Sequence, residues 1–263
     1  MLKNLNTKDA FAHASNCVEV MKSTYRFFMD NKLWRGFFKH KWIALATIGI
    51  SILFSYWMIC DVSAYFTSPP VDIPLSDAGV ISDQLSDELK RENAQTAISS
   101  GSKYLLLIIL EIVIFYFSVK TIEILSGKDQ PIQISSFWKA EIRMIKVMIR
   151  GFVQALIVQI LLSILLGIFG IPGAVKRFVM FFVYAFFVGH AFFDNYNELH
   201  NLSIKNSEIT TKYHFGATLA LGTVSSLLLL IPIIGPIITP IFAALTANIY
   251  GYRYKLNEVV LKQ

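Results

Sequence analysis

A single acid, Glu111, stands near the middle of the apolar run 104–119. A charge at the centre of a bilayer costs about 2.5–3.5 kcal/mol on insertion scales, so such a residue faces a bundle interior or a water path. Two roles fit it: a lining or proton-coupling carboxylate, or a protonated acid hydrogen-bonded to a neighbouring helix. His190 and Asp194 are four apart at the end of another apolar run, a spacing at which a carboxylate can orient an imidazole. The preferred alternative for that pair is a structural cap linking the helix to a loop at Asn195 to Asn201. His13 and Cys17 are also four apart, but two ligands do not make a zinc site, and a solvated or packed pair is the simpler reading. The chain carries no Walker loop, no GxGxxG after a strand, no HExxH and no CxxC pair. No catalytic residue, metal site or cofactor is therefore expected, and the chain does not read as an enzyme.

The elements that must position these residues are set by hydropathy. Of the 263 residues, 54% are hydrophobic and 16% charged, where a soluble domain carries roughly 25% charged residues. The apolar residues come in blocks, and a membrane-spanning helix needs about 20 of them at a rise of about 1.5 Å each. Block 42–60 has no charge at all, and block 104–119 qualifies if Lys120 snorkels. Blocks 151–170 and 178–193 flank the turn Ile171-Pro172-Gly173-Ala174. Blocks 215–231 and 237–250 flank a break at Pro232, Gly235 and Pro236, with Pro240 just beyond. In lipid such breaks are tolerated only where protein or water satisfies the freed backbone groups, which makes each a hairpin turn at minimum and a lining element at best. The expected fold is an all-α integral membrane protein: two long spanning helices plus two helical hairpins, full or partly penetrating, with amphipathic interfacial helices.

Basic residues orient the chain. Eight precede Trp42, three lie in the loop 61–103 beside seven acids, and six return between Lys120 and Arg150. Cytoplasmic flanks keep the excess of Lys and Arg, so both termini are expected in the cytoplasm of a multi-pass protein of the cytoplasmic (inner) membrane. The domains are a cytoplasmic amphipathic segment 1–41, a membrane domain 42–252 with the extracytoplasmic loop 61–103, and a tail 253–263. Block 42–60 reads as an uncleaved signal anchor. The net charge of +6 follows the membrane flanks, which argues against nucleic acid as a partner. Cys17 and Cys60 fall on opposite sides of the first block, so no disulfide is expected. Lys176 and Arg177, next to the first hairpin turn, fit a tip that stops short of the far side.

Two stretches carry an interfacial pattern. Phe11, Ala14, Val18, Met21, Tyr25 and Phe28 share one helical face, with Lys8, Lys22 and Arg26 elsewhere on it. This suits a helix lying on an anionic leaflet, or one packed on the cytoplasmic side of the bundle. Trp138, Ile142, Ile145 and Met148 repeat the pattern, with Lys139, Arg143, Lys146 and Arg150 on the complementary face.

The second half carries a motif sequence. Phe192-Phe193-Asp194-Asn195-Tyr196-Asn197-Glu198 is followed by Leu202-Ser203-Ile204-Lys205, then by a polar helix and the apolar run that ends at Ile231-Pro232-Ile233-Ile234-Gly235-Pro236. This resembles the CysZ-type sulfate permease family, which also includes the eukaryotic etoposide-induced membrane proteins. The resemblance is good from about residue 178 to 252 and covers only the layout before that. It implies two spanning helices and hairpins that only partly penetrate. The permease branch has a Gly-Leu-Arg element before its first span, associated with anion binding. The nearest stretch here is Lys32-Leu33-Trp34-Arg35-Gly36, where Leu33 matches, the glycine is absent and the arginine is displaced. On position, Arg35 with Lys32 and Lys39 are the candidate anion-binding residues, because a guanidinium grips an oxyanion with two parallel hydrogen bonds. The alternative is that these charges only enforce orientation and touch lipid phosphates.

The resulting expectation is a membrane channel or permease for a small inorganic anion, with sulfate as the cargo the resemblance implies. A non-transporting membrane organiser or assembly protein is the competing reading. The expected partners are the lipid bilayer, the small anion and further copies of the chain.

Overall fold

The computed structural model describes residues 7–35, 45, 48–56, 106–128, 134–169 and 173–258. Lys39, Pro172, the expected loop 61–103 and about half of block 42–60 lie outside the described residues. The architecture is all-α. Seven helices carry it: α1 (Thr7–Asp30), α2 (Glu111–Ser126), α3 (Ile134–Ile168), α4 (Gly173–Leu199), α5 (Ile204–Tyr213), α6 (Phe215–Leu229) and α7 (Ile234–Arg253). Residues 48–56 are also helical, and no strand occurs among the described residues.

Among the described residues, three helices are long and apolar enough to cross a membrane: α3 over Trp138–Leu166, α4 over Val175–Leu199 and α7 over Ile234–Arg253. They differ in what surrounds them. In the apolar window of α3, 22% of positions are buried in the protein, against 72% in α7. Ile149, Val153, Ile157, Leu161 and Ile164 of α3 point outward, which in an aqueous protein would be an aggregation surface and here is the face that lipid covers. The chain is an all-α membrane protein.

At the centre stands α2. Val113, Ile114, Phe117, Ser118 and Thr121 are wholly buried, and the enclosure continues round the helix. A helix apolar all round belongs in a core, not at a surface. Residues 106–109 are helical ahead of α2, with the Leu110 N–H on the Leu106 carbonyl and the Ile114 N–H on the Leu110 carbonyl, so the second apolar block runs on beyond α2 and is enclosed by protein for most of its described length. Gly127, at φ 65°, ends it: a left-handed residue closes the last turn, and its N–H reaches the Glu123 carbonyl.

The hairpins are unequal. Helix α3 joins the predicted interfacial stretch and the third block into one rod of 35 residues, about 52 Å long. Gly173 opens α4 instead of lying in the turn ahead of it. In the second hairpin, α6 has 15 residues and reaches only about 22 Å, less than the hydrocarbon core of about 30 Å. Its tip is tightly built. Ile233 sits at φ 65°, ψ −55° while the Ile234 N–H reaches the Pro232 carbonyl at 2.7 Å, a three-residue γ-turn. The Ile233 N–H donates to Ser55 Oγ at 2.6 Å, so block 42–60 holds this tip. Gly235 and Pro236 fall in the first turn of α7, where a missing N–H costs nothing. Pro240 lies within the helix.

Helices α4 and α6 cross in backbone contact. A Cβ on Gly189 would collide with the Thr218 carbonyl, and one on Gly222 with the Ala185 carbonyl. Lipid tails are as apolar as leucine, so close backbone packing is what drives helices together in a membrane. Gly216 plays the same part between α6 and α1, its missing side chain leaving room for the Ala10 carbonyl.

The predicted stripe of α1 is divided. Met21 faces inward with Cys17, Val20 and Thr24, and Thr24 Oγ1 meets Thr246 Oγ1 of α7 at 3.0 Å. Phe11, Val18 and Tyr25 face outward, with Lys22 and Arg26 exposed beside them. The helix is thus packed on the bundle by one side and presents an apolar and basic side to its surroundings. In α3, Trp138 and Ile142 likewise point outward, while Ala140, Met144, Val147 and Met148 are buried.

Candidate functional site

Two places gather the polar chemistry. The first is a buried layer where α4 meets α2, α3 and α5. Asp194, on α4, receives two hydrogen bonds from Arg143 of α3, from Nε to Oδ2 and from Nη2 to Oδ1, each 2.9 Å. This is the parallel fork that guanidinium and carboxylate geometry favours. The third arm of the same guanidinium, Nη1, donates to the Leu202 carbonyl in the loop after α4, and Glu198 stands 3.8 Å from Nε. Asp194 keeps only 3% of its side chain exposed and Arg143 16%.

The pairing of His190 with Asp194 that their spacing allows does not form. Asp194 is taken by Arg143, and His190 Nδ1 instead lies 2.9 Å from Thr211 Oγ1 of α5. The structural alternative comes closer, since Asp194 does tie its helix to the following loop, but through Arg143. That loop is also shorter than read, because α4 continues through Asn195, Asn197 and Glu198 to Leu199. Asn197 Nδ2 donates to Ser207 Oγ at 2.9 Å, and Arg150 Nε meets Glu208 Oε1 at 2.7 Å. Sequence reading assigned Arg143 and Arg150 to a charged face and missed both pairings, because the partners are 51 and 58 residues away.

Glu111 opens α2 and is fully buried inside protein. Asn195 lies beside it, and the nearest charges acting on it are three more carboxylates, those of Glu198, Glu141 and Asp194. Neither carboxyl oxygen makes a hydrogen bond of full geometry, and the Asn195 side chain is the polar group that approaches them. Further along the same face of α2, Ser118 Oγ accepts a bond of 2.9 Å from Asn248 Nδ2 of α7. A buried polar group without a partner costs about 1–3 kcal/mol, so an orphaned carboxyl marks a functional position or a hydration site.

The second place is the turn after α1. Lys32 adopts φ 51°, and the Arg35 N–H bonds back to the Lys32 carbonyl at 3.0 Å. Leu33 anchors the turn in the core, which leaves Lys32, Trp34 and Arg35 exposed. The Arg35 guanidinium lies 5.2 Å over the Trp34 ring, a cation–π contact that fixes its direction. The turn and the Arg143 layer are separate: Lys32 and Arg35 do not join Glu111, His190 or Asp194 in one site. On α1 Cys17 is buried and His13 half-buried, and among the described residues no group of three potential ligands gathers to hold a metal ion.

No protein-family model, curated protein or solved structure matches this chain, so the family resemblance stands on the motif residues between Phe192 and Pro236 alone.

Proposed function

We propose that this chain moves a small inorganic anion across a membrane and is not an enzyme; sulfate is the cargo to which the motif resemblance points. One observation carries the reading: Glu111 is wholly buried in α2 among the carboxylates of Glu198, Glu141 and Asp194, with only the Asn195 side chain to meet it, an arrangement a purely structural bundle gains nothing by keeping. The anion's first contact is assigned to Arg35 and Lys32. Arg143 and Arg150 already carry carboxylate partners, whereas the turn holds its guanidinium outward over Trp34. Glu111 is assigned to the route through the bundle.

The test is uptake of labelled sulfate into proteoliposomes. The wild-type chain should exceed protein-free vesicles. Glu111→Gln should insert and fold normally yet lose uptake. Arg35→Lys keeps the charge and should weaken sulfate binding by about 1–2 kcal/mol, the loss of one charge-assisted bond. Unchanged binding in both Arg35→Lys and Arg35→Ala removes Arg35 as a ligand. A correctly inserted wild type that takes up nothing leaves the organiser or assembly role standing instead.

The proposed setting is the cytoplasmic membrane with both termini inside, supported by the alternation of basic flanks. Single cysteines in intact cells should be labelled from outside at Ser76 and not at Ser126. The reverse pattern overturns this topology.

A further inference from the structure

Where α1 lies against α6 and α7, the half-buried imidazole of His13 meets the buried imidazole of His214. The rings of His13 and His214 have centroids 4.4 Å apart, tilted by 35°. Each has one nitrogen engaged: His13 with the Tyr213 backbone, and His214 Nδ1 with the Tyr250 hydroxyl at 3.1 Å. The remaining nitrogens, His13 Nδ1 and His214 Nε2, are buried with no hydrogen-bond partner. The pair sits at the seam that holds α1, between the Ala10–Gly216 approach and the wholly buried Cys17. We propose that this pair makes the docking of α1 dependent on pH: the helix stays seated while both rings are neutral and lifts away when either takes up a proton.

The reason is the contact itself. Two rings in contact cannot both be cationic without repulsion, and a single imidazolium would need its orphan nitrogen to donate where no acceptor lies. The titratable groups facing the pair are Asp9 from α1, Tyr213 from α5 and Tyr250 from α7, with Cys17 of α1 acting on Tyr250 behind them. Of these only Asp9 favours a charged ring, and it acts on His13. Burial holds His13 below its usual range and pushes His214 down to about 3, the latter also through the His13 charge. For a base held below its free value, docking is intact above the free value of about 6.5 and weakens as pH falls beneath it. For His214 alone, the shift from 6.5 to about 3 favours the lifted state about 30-fold more at pH 5 than at neutral pH. His13 adds to this.

Cys17 supplies the readout. In the full chain in lipid nanodiscs, with Cys60→Ser, the maleimide reaction rate of Cys17 is followed from pH 7.5 to pH 5. Each rate is divided by that of the same chain unfolded in detergent at the same pH, which removes the titration of the thiol. The normalised rate should rise on the order of tenfold or more on acidification, while amide exchange in α2 stays slow. The rise should shrink in His13→Gln and vanish in His13→Gln/His214→Gln. A flat wild-type profile overturns the proposal without recourse to any variant. So does parallel loss of protection in α2, or an undiminished rise in the double variant.

Discussion

Gly222→Val is expected to dismantle the α4–α6 crossing. A Cβ at this position overlaps the Ala185 carbonyl and crowds the Gly189 N–H. Both are backbone atoms of a helix, so no side chain can rotate aside. Overpacking that a side chain can absorb costs about 1–3 kcal/mol. Here two helices must separate along their closest line, and the expected cost is about 3 kcal/mol or more. Gly189→Val, which meets the Thr218 carbonyl from the other side, should behave alike, and the double variant should lose little more than either alone, because the first change already opens the seam. Gly49→Ala is the control. Nothing lies within 4 Å of its added Cβ, and a helical alanine in place of glycine is neutral to mildly stabilising. Thermal unfolding in detergent reads all of them. A Gly222→Val protein that melts like the wild type would mean the helices are not in backbone contact.

The second large effect is expected at the buried ion pair. Asp194→Ala leaves Arg143 with its main counter-charge gone and Glu198 at 3.8 Å as a poor substitute. Removing one member of a buried pair typically costs about 3–5 kcal/mol, because an uncompensated charge stays behind. The Leu202 carbonyl accepts from the same guanidinium, so the loop between α4 and α5 should loosen with it. Amide exchange near Asn201 and Leu202 ought to accelerate more than exchange in α2. Arg143→Met/Asp194→Leu gives the opposite expectation, near-neutral stability, since an apolar pair of similar volume avoids the desolvation cost altogether. If the single variant is as stable as the double, the pair contributes nothing.

Much of the bundle was legible in the sequence, and the part that was not has a physical cause. Apolar blocks and their Pro and Gly breaks predict α3, α4, α6 and α7 and the two hairpins, because hydropathy reports directly on what a bilayer accepts. Facing is harder to read. In water an apolar stripe marks the side that seeks protein. In a membrane, lipid welcomes that stripe equally, and small or weakly polar residues mark the protein side. Phe11, Val18 and Tyr25 accordingly look outward while Cys17 and Thr24 look in. On α3 the outward Trp138 and Ile142 stand against an inward line of Ala140, Met144, Gly151 and Ala155, continued by Gln159 and Ser163. Glu111 stood out because a lone acid in an apolar run is anomalous wherever it faces. Its surroundings did not, and neither did the Arg143–Asp194 fork. Periodicity pairs residues three or four apart on one helix, and contacts 51 residues apart exist only after the helices have met.

The enclosure of α2 has a consequence for how the protein is made. Ser118 meets its partner Asn248 across 130 residues of chain. At about 5–20 residues per second, α2 leaves the ribosome on the order of 10 s before the helix that forms its wall. During that interval Glu111 lacks the full bundle around it, and Asn195 is itself made 84 residues after Glu111. A newborn α2 is therefore expected to stay shielded from lipid by other means until the C-terminal hairpin arrives. Truncation before residue 234 should leave it stranded for quality control to remove.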